Sequence, residues 1–300
     1  MTVLVGILCS DGVVIGSDSA FASGVIPGHF TMEQQDKALK IELIGTDAIT
    51  ATTGFVGLAH RFNEQISVLF PALKEKFYIG EMLQRTPHLC TPIQQSLLGQ
   101  VKQDDIPFNK LSTVGLARII SQVVIADFQK TKSALQNVPA TGWGLGALLA
   151  FVKDDVPQLV EFDPLQFHPE VKGLPDPKRG DRVYRAVSMG AMTSMSDPFL
   201  AHAYRVLFGE RIPTVDRAKL VVAWTIDHVT KYNFGTVGGK LQLAVLEKTK
   251  DTWTAHHSDP GEIEQQVEGL EKYITEYRHK QQPDAAAEAS QVNIDEELKP

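Results

Sequence analysis

Cysteine is scarce in this sequence. Only Cys9 and Cys90 occur among 300 residues, which excludes a disulfide framework and is typical of a reducing cytoplasm. Basic charge is also lacking, since 29 Lys and Arg stand against 36 Asp and Glu, for a net charge of −7. No basic stripe is present, so neither nucleic acid nor an anionic membrane is expected as a partner.

Long hydrophobic runs are absent as well. No stretch approaches the ~18 apolar residues that a membrane-spanning helix needs. The first twelve residues contain Asp11 and lack the basic region of a signal peptide. Hydrophobic residues make up 43% and charged residues 22% of the chain, as in globular proteins. We therefore expect a soluble, cytoplasmic protein.

The first fifty residues have the pattern of strands. Apolar residues alternate over residues 3–7 and again over 13–15, on either side of Asp11-Gly12, which predicts a β-hairpin. Residues 39–44 and 48–53 predict a second pair of strands. Four strands this close together indicate an antiparallel sheet and not a βαβ unit.

After Gly57 the apolar residues recur at helical spacing. An insertion is expected at 78–109 and a proline-rich loop at 163–181. Further helices are predicted at 111–128, 197–208 and 215–232. Further strands are predicted at 145–153, 158–162, 184–188 and 240–247. This order predicts an α+β fold in which two sheets lie between helix layers. We expect one domain over 1–248 and an extension over 249–300, with a charged helix at about 262–280 and a disordered tail.

The beginning of the chain carries the first chemical signal. Methionine before a small residue is normally removed, which would leave Thr2 with a hydroxyl and a free α-amino group. That amine titrates near pH 7–8, so it can accept the proton of the neighbouring hydroxyl and create a nucleophile. Many proteins begin Met-Thr without such a role, so the surrounding sequence decides the interpretation.

The surrounding sequence resembles the opening of a proteasome β-type subunit. The relevant segments are TVLVGILCSDGVVIGSDSAFASG from Thr2, KIELIG from Lys40 and ITATTGFVGLA from Ile49. The resemblance is strong over residues 2–60, moderate over 142–162 and 238–247, and closest to bacterial proteasome homologues of the proteobacterial type. It implies the four-layer αββα sandwich of N-terminal-nucleophile hydrolases.

The resemblance also implies residue roles. Thr2 would be the nucleophile, Lys40 would lie beside it, and Asp18 would fix the charge and position of Lys40. The backbone N–H of Gly54 would bind the oxyanion. Ala22 would hydrogen-bond an extended substrate. The remaining implied residues would line the first side-chain pocket: Phe21, Ala38, Thr52 and Val56.

Two departures from the family pattern affect its supporting hydroxyls. The family has D-x-x-S-G-G near the end of the domain, where this chain has NFGTVGG over residues 233–239. Phe234 thus stands for the Asp and Val237 for the Ser, with Asn233 or Thr236 as substitutes after a small shift. Ala191 likewise stands where a supporting Ser is expected, unless Thr193 or Ser194 serves.

Three other constellations are weaker. His88 and Cys90 are too close in sequence for a Cys-His catalytic pair. His256, His257 and Asp259 match no zinc spacing. The segment GWGLG at 142–146 precedes a strand and opens no helix, unlike a dinucleotide loop.

The implied activity is threonine-type peptide hydrolysis through an acyl-enzyme, with no metal or cofactor. The implied partners are a peptide or unfolded-protein substrate and further copies of the chain in stacked rings, and an ATP-driven unfoldase is another candidate. Two alternatives stay open: a catalytically silent ring scaffold, and a small-amide amidohydrolase of the same fold.

Overall fold

The computed structural model describes residues 2–26, 29–33, 39–74, 110–134, 144–173, 185–190, 193–232 and 237–281. Within these residues there are twelve strands and five helices. The strands are β1 Val3–Leu8, β2 Gly12–Ser17, β3 Phe21–Ile26, β4 His29–Glu33, β5 Ile41–Ile44, β6 Ala48–Gly54, β7 Leu145–Lys153, β8 Val156–Phe162, β9 Pro169–Val171, β10 Ala186–Gly190, β11 Gln242–Thr249 and β12 Thr252–Ser258. The helices are α1 Val56–Lys74, α2 Thr113–Ala134, α3 Thr193–Phe208, α4 Val215–Tyr232 and α5 Gly261–Gln281.

The strands form two antiparallel five-stranded sheets. The first sheet has the order β10-β1-β2-β11-β12 and the second has the order β5-β6-β7-β8-β9. Strands β3 and β4 pair separately as a two-stranded ribbon. The α+β class predicted from the sequence is confirmed, with every strand pair antiparallel.

The first two hairpins do not share a sheet, and the prediction that they would is wrong. Strands β1 and β2 lie in the first sheet, while β5 and β6 lie in the second. Alternate residues of both hairpins meet instead in one apolar core, which includes Leu4 and Ile15 from the first sheet and Ile41 and Ile49 from the second. Nearness in sequence thus produced face-to-face packing of the two hairpins.

A second core fills the outer face of the second sheet. Helices α1 and α2 supply Phe62 and Phe128 to it, and the sheet supplies Phe151 and Phe162. Each such buried side chain contributes about 1.5–3 kcal/mol. On the first sheet, α4 packs against β1 and β2, and its apolar face is buried. These contacts fix the positions of β1, β2, β5 and β6, the strands at whose ends the candidate site residues lie.

Some elements differ from the sequence prediction. Strand β12 pairs with β11 and extends the first sheet past residue 248, and the compact unit runs to Pro260. Strand β9 lies within the segment predicted as loop.

Helix α5 agrees closely with the charged helix predicted at about 262–280 and belongs to a separate unit. Over the described ranges, no helix is both long and apolar enough for a membrane crossing.

Candidate active site

Asp18 is the centre of the candidate site. It follows the last residue of β2 and is 1% exposed. Its Oδ1 accepts the backbone N–H of Val3 at 2.9 Å and the Lys40 ammonium at 2.8 Å. Its Oδ2 accepts the N–H groups of Ala20 at 3.2 Å and Gly238 at 3.3 Å. A buried carboxylate needs such compensation, and the four donors hold this one in a single orientation.

Lys40 brings the second sheet to this carboxylate. It directly precedes β5, and its side chain is 9% exposed. Burial lowers the pKa of the Lys40 ammonium below its ordinary value of 10.5, and the charge and hydrogen bond of Asp18 oppose that change. Its backbone is also fixed, because its carbonyl accepts the N–H of Thr52 at 3.1 Å.

Thr2 lies next to this ion pair. It directly precedes β1 and is 8% exposed. The Lys40 ammonium and the N–H of Val3 lie within 2.9 Å of one and the same carboxylate oxygen. Leu4 faces the second sheet, and extending the two-residue alternation of β1 places the side chain of Thr2 on that face too.

Gly54 ends β6 with φ of +114°, a backbone conformation that favours glycine. A Cβ there would lie 1.7 Å from the carbonyl oxygen of Gly144, which also accepts the N–H of Phe55 at 2.8 Å. The N–H of Thr52 points toward Lys40. Alternation along β6 therefore directs the N–H of Gly54 to the same edge. The glycine is needed for the close approach of another backbone segment, and its amide faces the Lys40 side.

The residues predicted to bind substrate are placed less completely. Phe21 and Ala22 lie in β3, where Ala22 pairs with Met32. Ala38 lies outside the described residues. Thr52 is buried beside Lys40, whereas Val56 begins α1 and is 44% exposed.

The chain departs from the pattern of proteasome β-type subunits at two places, and the structure describes these places only in part. Val237 is buried, while Phe234, Asn233, Thr236 and Ala191 lie outside the described residues. The hydroxyl of Thr193 donates to the carbonyl of Gly190 at 2.7 Å and is exposed. This bond caps the end of β10, and no described contact directs the Thr193 hydroxyl at the ion pair.

Two residues near the ion pair were missed in the sequence. Ser19 is 1% exposed, and its Oγ accepts the N–H of Lys240 at 2.7 Å. The side-chain Oε1 of Gln242 accepts the N–H of Lys40 at 3.0 Å. The sequence signal was the adjacency of Ser19 to Asp18, while Gln242 offered none, because its contact joins residues 202 positions apart.

No protein-family model matches the chain, and no curated protein matches it either. The geometry therefore carries the functional argument.

Among the described residues, no three His, Cys, Asp or Glu side chains form a group that could hold a metal ion. In the pair His256-His257, the Nε2 of His256 lies 3.6 Å from the Oε1 of Glu247. Cys9 is buried, and burial raises the pKa of its thiol far above the ordinary value, which keeps it protonated and unreactive. His88 and Cys90 lie outside the described residues.

Proposed function

We propose that this chain is a threonine-type peptidase that uses Thr2 as an N-terminal nucleophile. The observation that carries the proposal is the Asp18 carboxylate oxygen shared by the Lys40 ammonium and the N–H of Val3. Through this shared oxygen, β1 and the residue before it, Thr2 with its hydroxyl, are held close to the buried Lys40 ammonium. A buried ion pair is costly to keep, and such perturbed groups cluster at functional sites.

The chemistry follows from these groups. The α-amino group of Thr2 takes the proton of its own Oγ, and the oxygen attacks the scissile carbonyl carbon. The Lys40 cation stabilises the negative charge that develops, and the amide of Gly54 donates to the oxyanion. The C–N bond then breaks, and the leaving amine takes the proton from the α-ammonium. Water hydrolyses the resulting ester in the same way and frees the Thr2 hydroxyl.

The fold is in keeping with this proposal. Helices α1 and α2 cover one sheet, α4 covers the other, and an apolar core joins the two sheets. This order of layers fits the αββα sandwich of N-terminal-nucleophile hydrolases, to which we assign the chain as part of the proposal. From the resemblance of the sequence to proteasome β-type subunits, we also propose that the substrates are peptides or unfolded proteins. We further propose that copies of the chain assemble into stacked rings in the cytoplasm, with an ATP-driven unfoldase as another partner.

The mechanism requires a free α-amino group on Thr2, however the residues before it are removed. The test is intact mass of the purified protein before and after incubation with a peptide epoxyketone, which reacts with an N-terminal threonine. We expect one adduct per chain on protein that begins at Thr2, none on Thr2→Ala, and a slower adduct on Thr2→Ser. A chain that begins at Thr2 and gains no mass would overturn the proposal.

One observation favours the silent scaffold as the second candidate. Val237 is buried and apolar where the family has a supporting serine. The adduct experiment separates the two candidates, because a scaffold would form the same assembly without reacting. Replacing Val237 with Ser would then raise the adduct rate only if the missing hydroxyl limits an active enzyme.

A further inference from the structure

Residues 237–242, which lead into β11 and include its first residue, contact residues on both sides of the ion pair. The N–H of Gly238 donates to Asp18, and its carbonyl accepts the N–H of Ala20 at 2.8 Å. Two residues later, the N–H of Lys240 donates to the Oγ of Ser19 at 2.7 Å. The first part of this segment is thus fastened to the acid side of the site.

The end of the same segment reaches the base side. Gln242 is the first residue of β11 in the first sheet, and its Oε1 accepts the N–H of Lys40, which precedes β5 in the second sheet. The backbone N–H can only donate, so the amide of Gln242 must present its oxygen here. The bond joins the two sheets at Lys40. The backbone of this lysine leads into the second sheet, while its ammonium bonds to Asp18 at the end of β2 in the first sheet.

Between β1 and β5 the two sheets meet through apolar side chains, such as Leu4 and Ile41. The polar contacts of Asp155 with Lys248 and Trp253, and of the Thr46 carbonyl with the N–H of Ala255, join the sheets at turns of the second sheet. Apolar contacts are non-directional and do not set the position of one backbone to fractions of an ångström. A directional hydrogen bond does, and misplacement by about 1 Å can cost roughly 100-fold in rate. The position of the Lys40 ammonium therefore depends on how its backbone is held.

From this geometry we propose that Gln242 is a positioning residue that fixes Lys40 against Asp18 across the gap between the sheets. The inference rests on the proposed function for its effect on rate, but its structural part is independent. Gln242 acts through the Lys40 backbone, whose N–H its side-chain oxygen accepts.

The test compares two substitutions at this position with one control. Gln242→Leu keeps the approximate size and removes the acceptor, whereas Gln242→Glu keeps an acceptor oxygen. Gln158→Leu is the control, since that partly buried glutamine also accepts a side-chain hydrogen bond, from Thr113 at 2.9 Å, in a different part of the second sheet. Two quantities are measured: hydrogen–deuterium exchange of the peptide containing Lys40, and the epoxyketone reaction resolved into saturating rate and half-saturation concentration.

For Gln242→Leu we expect about tenfold faster exchange at the Lys40 amide and a saturating rate lower by up to about 100-fold, with an unchanged half-saturation concentration. Gln242→Glu restores both values, and Gln158→Leu changes neither. Unchanged exchange in Gln242→Leu, or equal losses in the Leu and Glu variants, would overturn the inference. If the wild type forms no adduct, the proposed function fails, while the exchange measurement still decides the role of Gln242.

Discussion

At the scale of single residues, the Asp18 carboxylate carries several interactions at once. It accepts three backbone N–H groups and the Lys40 ammonium. Asp18→Asn keeps the shape but leaves a buried cation without its counter-charge. Breaking one partner of a buried pair costs about 3–5 kcal/mol of unfolding free energy. We expect that loss in urea titrations, together with a fall of the epoxyketone rate by roughly 100-fold or more.

The matched control is Asp155→Asn. Asp155 pairs with Lys248 at 2.7 Å, but the aspartate is exposed, and solvent screens such pairs. We expect unchanged unfolding and an unchanged adduct rate. An Asp18→Asn protein that is as stable and as reactive as this control would contradict the central role of the ion pair.

Lys40 predicts a dependence of stability on pH. Burial lowers its folded-state pKa below the ordinary 10.5. In the unfolded chain Lys40 has its ordinary pKa. Between the folded-state and unfolded-state pKa values of Lys40, the unfolded chain therefore binds more protons than the folded chain, so the contribution of Lys40 to stability rises with pH. That contribution is fully present above the unfolded pKa and is lost as the pH falls through the folded pKa.

Lys40→Met removes this titration. In urea unfolding at a series of pH values up to 10.5, the wild type should gain stability relative to Lys40→Met as the pH rises through the window. A constant difference between the two proteins at all pH values would show that the Lys40 pKa is the same in both states.

At the scale of elements, the start of β1 is fixed by the end of β10. Gly190 pairs with Val3, has φ of +118°, and leaves no room for a Cβ, which would lie 2.0 Å from the carbonyl oxygen of Thr2. Gly190→Ala must therefore push the Thr2 backbone away from its place. We expect a loss of about 1–3 kcal/mol and an adduct rate reduced at least tenfold, since nucleophile placement is affected.

Gly209→Ala is the control for backbone strain alone. Gly209 also has a positive φ, of +62°, but a Cβ there would meet no atom within 4 Å. We expect a loss of about 1 kcal/mol without an effect on the adduct rate. If both alanine variants keep the wild-type adduct rate, the close contact at Gly190 does not position Thr2.

Strand prediction from the sequence succeeded where a strand has a clear run of apolar residues and failed where it has none. β1 and β2 are buried throughout and have near-continuous apolar residues. β12 is an edge strand with mostly polar, partly exposed residues, so its alternation is weak. Its pairing with β11 depends on a neighbouring strand and not on its own pattern.

At the scale of the whole molecule, the chain divides into residues 1–260 and 261–300. Helix α5 in the second unit exposes Tyr273 and Tyr277 and is rich in charge. We propose that this unit governs assembly or partner access. A chain that ends at Pro260 should therefore fold, but form smaller oligomers in native mass measurements.

The control for that truncation is a chain that ends at Gln281, which keeps α5 and loses only the residues after it. It should assemble as the full chain does. Equal oligomer mass and equal peptide turnover for the chain ending at Pro260 and the full chain would contradict an assembly role.

The sequence by itself determined the α+β class, because hydrophobic periods of two and of 3.6 are local properties of a chain. It also indicated Thr2, Asp18, Lys40 and Gly54 as one group, through a resemblance over the first sixty residues. Only the tertiary structure decided that the two early hairpins lie in different sheets, and that Gly190, Ser19 and Gln242 hold the group together. The physical reason is that these contacts join residues far apart in sequence, and one partner in each is a backbone group, which every residue has whatever its side chain.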